Sequence, residues 1–173
     1  MLGPGDLIFH PSHGFGTISG LTRRDPLHPI EDVVAHEEVS DPTHDYYDIQ
    51  LMGGGTLLVP VNRAERVGLR LLTNGVDAIM ICLRSPAQEL PRDARTRAAE
   101  LWARGQIGEP TALATCVRDM VTQSHGRTLT ASEKAWLDKS CERLSTEAAL
   151  VDRISRAQAH AAIWEAVNRL NAK

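Results

Sequence analysis

The sequence predicts an α+β protein in two parts: a small N-terminal antiparallel five-stranded barrel over residues 1–72, then an all-α domain of about five helices over residues 73–173. Three observations carry that expectation. Short β-branched and aromatic runs alternate with Gly- and Pro-rich turns in the first third. From Asn74 onward, apolar residues recur at three- and four-residue spacing. Two capping signatures, each a hydroxyl residue followed three positions later by Glu or Gln, mark helix starts in the last third.

The first hairpin lies in the stretch GDLIFHPSHGFGTISG, residues 5–20. Strands are expected over 7–9, 16–22, 46–51, 56–61 and 68–71. Met52-Gly53-Gly54-Gly55 reads as a hairpin turn, and Pro60 sits at a strand end, where its missing N–H does least harm. Five short strands with tight turns suggest an SH3-like or Tudor-like barrel. Residues 23–45 are acidic, hold three prolines and carry little apolar surface, so they read as an extended loop between the second and third strands.

The helices follow in order. Val76, Ile79, Met80 and Leu83 share a face, and Ser85-Pro86 stops that helix. Pro91 is expected to open the second, with Ala94, Ala98, Leu101 and Trp102 on its apolar side and Gly105 at its end. Leu113, Val117, Met120 and Val121 mark a third. Thr130-Ala-Ser-Glu133 caps a fourth, with Leu137, Cys141, Leu144, Ala148 and Val151 on one stripe. Ser155-Arg-Ala-Gln158 caps a fifth, carrying Ile163, Val167 and Leu170. Trp102, Trp136 and Trp164 read as core residues.

Composition narrows the function. A net charge of −3 argues against a polycation that grips nucleic acid by charge alone, and leaves room for a local basic face. Cys82, Cys116 and Cys141 lie far apart without metal-ligand spacing and read as reduced thiols. The N-terminus MLGPGDLIF has no basic region or long apolar run, so the expectation is a soluble, cytoplasmic, monomeric protein with no membrane contact. His10 and His13 have spacing compatible with a metal, yet lack a clear third ligand. No phosphate loop, nucleophile elbow or framed carboxylate pair is present, so neither an enzyme nor a cofactor is expected.

The chain resembles the CarD/CdnL family of bacterial transcription regulators. The residues that carry the resemblance are Gly5-Asp6, His10-Pro11-Ser12-His13-Gly14-Phe15-Gly16, Tyr46-Tyr47, Leu58-Val59-Pro60-Val61, Gly68-Leu69-Arg70, Gly105, Val117-Arg118-Asp119 and Leu129-Thr130-Ala-Ser-Glu133-Lys134. The resemblance implies that the barrel docks on the RNA polymerase β subunit and that the helical domain touches promoter DNA and alters open-complex stability, without catalysis. Its docking strand would be Thr56, Leu57, Leu58, Val59 and Pro60, with Arg24 as a polymerase-contacting side chain. DNA candidates are Arg92, Arg95, Arg97, Arg118 and Lys134. Residues 84–104 hold five arginines against Glu89, Asp93 and Glu100, enough for a few phosphates. The chain departs from the family at Leu58, where some relatives have a basic residue, and chiefly by an absence. A Trp usually wedges into DNA from the start of the second helix. Here Leu90-Pro91 is followed by Arg92-Asp93-Ala94-Arg95, with no aromatic. That departure keeps a second reading open, a polymerase- or protein-binding module that does not engage DNA; a third is a metal-binding enzyme using His10 and His13.

Overall fold

The computed structural model describes residues 2–24, 44–106, 108–124 and 128–171. The chain divides into two compact units, Met1–Leu72 and Thr73–Lys173.

The first unit holds β1 (Leu7–His10), β2 (Gly14–Arg24), β3 (His44–Leu51), β4 (Thr56–Pro60) and β5 (Arg70–Leu71). They form one sheet in the order β4-β3-β2-β1-β5, every neighbouring pair antiparallel. The sheet is barrel-like, with β4 and β5 as its edges. Strand side chains alternate between faces, and Ile8, Ile18, Tyr47, Ile49, Leu57 and Val59 meet in one core. Gly16 lies in β2 between Ile8 and Leu51. A Cβ there would lie 2.7 Å from Ile49 Cγ2 and 2.9 Å from the Gln50 carbonyl, so glycine lets β3 approach. The β2–β3 register slips between Ile18 and Gly20, where the Ser19 hydroxyl donates to Asp48 O at 2.9 Å. Such a bulge sharpens the local twist.

Against expectation, β1 runs one residue longer, β2 extends by two residues at each end, β3 starts two residues earlier, and the last two strands are shorter. Val61 leaves β4 to begin a 3₁₀ turn, Val61–Arg63. The fifth strand shortens to two residues because Gly68, at φ +76°, closes a turn by donating its N–H to Glu65 O. Of the expected loop, residues 25–43 lie outside the described residues.

The second unit holds α1 (Val76–Arg84), α2 (Ala94–Gln106), α3 (Pro110–Gln123), α4 (Ala131–Asp152) and α5 (Arg156–Asn171). α3 packs against each of the other four and buries Leu113, Ala114, Cys116, Val117, Met120 and Val121. Both capping boxes form. Glu133 N–H donates to Thr130 Oγ1 at 3.3 Å, and Thr130 N–H to Glu133 Oε2 at 2.9 Å. Gln158 N–H donates to Ser155 Oγ, and Ser155 N–H to Gln158 Oε1. α1 starts on Gly75, which has no side chain to cap it. Asp152, at the far end of α4, does so instead, accepting from Val76 N–H at 2.7 Å. α2 begins at Ala94, not Pro91, because Asp93 caps it. Its carboxylate accepts from Thr96 N–H at 2.7 Å and from the Thr96 hydroxyl at 2.8 Å. The Thr96 N–H, then that hydroxyl, hold Asp93 below its ordinary carboxylate range. No helix among the described residues is long and apolar enough to cross a membrane.

Candidate functional site

The first candidate is the β4 edge. β3 covers one side of β4, and among the described residues no other strand covers the second. Outward N–H and C=O groups of an edge strand form a template for another chain. A hollow of about 120 Å³ is lined by Leu57, Leu58, Val59 and Pro60 in succession, and by His10, Ser12, His13 and Val67. The hollow is a slot between β4 and the β1–β2 turn. Leu58, 9% exposed, lies outside the inward set of Leu57 and Val59, opposite Asp48 on β3.

The β1–β2 turn that walls the slot is held by its own residues. His10 is buried, and its Nδ1 accepts from Ser12 N–H at 3.2 Å. The His10 and His13 rings lie 4.8 Å apart, tilted. Among the described residues, no group of three His, Cys, Asp or Glu side chains could hold a metal ion. The Arg24 side chain lies outside what is described.

The second candidate is the surface around α2, where the structure separates the expected arginines. Arg92 and Arg95 are exposed, as is Lys134 on α4. None of the three has a carboxylate partner among the described residues. Arg97 and Arg118 are buried, which removes them from the expected DNA-facing set. Arg97 Nε donates to Glu133 Oε1 at 2.9 Å, and its NH1 donates to the carbonyls of Pro91 and Arg92 at 2.8 and 2.9 Å. Glu133 thus caps α4 with one carboxylate oxygen and anchors α2 with the other. Arg118 donates to Asp119 and to the Ser85 hydroxyl, tying α3 to the segment after α1. Asp119 also accepts from Gln88 N–H at 2.9 Å and from Arg104. Both arginines direct donors to partners inside the protein.

Trp102 corrects the expectation of a core residue, being 63% exposed. The helix is turned relative to the apolar stripe read from sequence. Its buried line is Arg97 and Leu101, one turn apart, while Ala94 and Ala98 face out. A buried arginine occupies the position a hydrophobicity pattern assigns to an apolar residue. Trp136 and Trp164 do pack against the core. Asp93, Asp119 and Asp152 escaped sequence reading. Only Asp93 carried a local signal, a Thr three residues on; Asp119 and Asp152 act across the fold.

A sheet unit with an open edge, followed by a five-helix unit whose fourth helix starts in a Thr-x-x-Glu-Lys box, defines the class of protein. Residues 2–72 match the family model for the CarD-like/TRCF RID domain, and residues 78–164 match that for the CarD C-terminal domain. The chain belongs to the CarD-like family and is a CarD-type, transcription-related protein. No curated protein matches it.

Proposed function

We propose that the protein binds the RNA polymerase β subunit by adding a strand of that subunit to β4, along Thr56, Leu57, Leu58, Val59 and Pro60, with Arg24 as a flanking contact. β4 as an edge strand among the described residues, with its slot against the His10–His13 turn, supports this reading. Main-chain hydrogen bonds would supply affinity, and the slot would read a partner side chain. The helical unit would touch promoter DNA through Arg92, Arg95 and Lys134 and so modulate open-complex stability. If all three reach phosphates, affinity falls by at most about 2.7 log units per log unit of salt.

Hydrogen exchange of the full chain, with and without a β-subunit fragment, tests the docking. Alternate amides within residues 56–60 gain protection if a strand is added there. Unchanged exchange at saturating fragment refutes it.

A second reading is a polymerase-bound module that leaves DNA alone. The lack of an aromatic in residues 91–95 and the burial of Arg97 and Arg118 favour it. Promoter complexes whose lifetime is the same for the parent and for the Arg92→Ala, Arg95→Ala and Lys134→Ala variants would select it.

A further inference from the structure

The exposed Trp102 does not stand alone. It borders a hollow of about 190 Å³ between α2, α3 and α4, with Trp136, Leu113, Gly105, Lys139 and Arg143. Gly105 keeps the floor open: a Cβ there would already be in van der Waals contact with Trp136 and Leu113, at 3.9 Å from each. The volume is below the roughly 300–1,000 Å³ of sites for drug-sized molecules, so it suits one planar ring system. Its wall is mixed in a specific way. Two indoles supply flat apolar surface. Lys139 and Arg143 supply positive charge, and no carboxylate is among the lining residues. Lys139 is exposed, without a carboxylate partner among the described residues. The Arg143 NH2 group donates to Gly108 O, which fixes that guanidinium. On α2, Arg95 lies two turns before Trp102, seven residues away and so on the same face.

Aromatic faces beside cations form the usual platform for a single strand of nucleic acid, where bases stack and phosphates are neutralised. A paired base cannot enter a hollow of this size, because its partner and neighbours come with it. We infer that this hollow takes one unpaired nucleobase of a single strand, stacked on Trp102, with an adjoining phosphate on Lys139. The inference rests on the DNA-contacting reading above and deepens it. This position lies late in α2, away from the helix start where a wedge into duplex DNA would sit.

The test uses the full chain and fluorescein-labelled dT12, rU12 and a 12-base-pair duplex, followed by anisotropy at several salt concentrations. Trp102→Ala is expected to weaken dT12 binding between about five- and about 150-fold, the usual loss of one stacked base. Trp102→Tyr is expected to restore part of the loss. Lys139→Gln is expected to lower the salt slope by about 0.7, one single-strand phosphate contact. Duplex binding by these variants stays near that of the parent. Tighter binding of dT12 than rU12 identifies DNA as the source of the base, and the reverse identifies RNA. Because Trp102 is largely exposed, the alanine variant keeps its fold, which its thermal midpoint checks. Equal dT12 and rU12 affinity for parent and Trp102→Ala overturns the inference; duplex or forked-promoter binding by the parent then shows that the DNA reading itself survives. A parent that binds none of the DNA forms overturns both. If Trp102→Ala instead abolishes capture of a polymerase fragment while dT12 binding is unchanged, the hollow is a protein contact and the inference fails.

Discussion

Replacing Arg97 by Ala separates a structural clamp from a DNA contact. Arg97 is 3% exposed, and the side chain of its partner Glu133 is 11% exposed. Removing one member of a buried ion pair costs ~3–5 kcal/mol, since the surviving charge is left uncompensated. Glu133 keeps its bonds to Thr130, so its charge stays partly compensated and the lower end applies. The carbonyls of Pro91 and Arg92 also lose a donor, about 1 kcal/mol each where water does not replace it. The expected loss is therefore about 3–5 kcal/mol, a large part of a domain's ~5–15 kcal/mol stability. With a urea slope of about 1.5 kcal/mol/M, the midpoint falls by roughly 2–3 M. Trp fluorescence reports this unit alone, because Trp102, Trp136 and Trp164 all lie within it. Arg97→Met combined with Glu133→Gln buries no charge and should recover more than half of the loss. A midpoint shift below about 0.5 M in Arg97→Ala, together with weaker promoter binding, would refute the clamp and return Arg97 to the DNA surface.

Other perturbations test separate features. Gly16→Ala should destabilise the sheet unit by about 1–3 kcal/mol, because Ile49 and the Gln50 carbonyl stand in the way of a Cβ; faster hydrogen exchange of the β2–β3 amides measures it. Asp152→Ala should cost about 1 kcal/mol by uncapping α1, seen as a lower urea midpoint. Burial pushes the Cys141 thiol up to about 12, with the Asp138 charge adding to it, from an ordinary value near 9. The folded state holds the thiol proton more tightly, so the resulting stability is intact below pH 9 and declines from there to about pH 12. An alkaline fluorescence titration should show that loss, and Cys141 should resist Ellman's reagent at neutral pH while the native fold persists. Ala94 is exposed at the first turn of α2, so Ala94→Trp should fold normally and lengthen promoter-complex lifetime if that turn faces DNA.

What the sequence made legible follows the range of the forces involved. The two capping boxes span three residues each, so their chemistry is written locally, and both form. The strands of the first unit were legible because glycine and proline punctuate them. The β4 edge was less so, since nothing within residues 56–60 says which neighbour is missing; that depends on where β1 and β5 go. The face of α2 was misread for an electrostatic reason. A pattern of apolar residues assumes that charge points outward, and Arg97 points inward because Glu133, more than thirty residues later, neutralises it.

Glu133 shows why a motif can be conspicuous without touching a partner. Its place in Thr-x-x-Glu-Lys is explained by α4's need for a cap, and the cap uses one carboxylate oxygen. The other reaches Arg97, whose remaining donors hold the backbone at Pro91 and Arg92. The turn that aims Arg92 and Arg95 outward is therefore set by a residue on a different helix. Glu133→Gln keeps the shape of that side chain and removes its charge, so it should loosen the turn while leaving most of the cap. If the exposed arginines act on DNA, this variant lowers promoter affinity although Glu133 would repel a phosphate; a change of sign, tighter binding on loss of the negative charge, would mean that the carboxylate acts by repulsion and not by positioning.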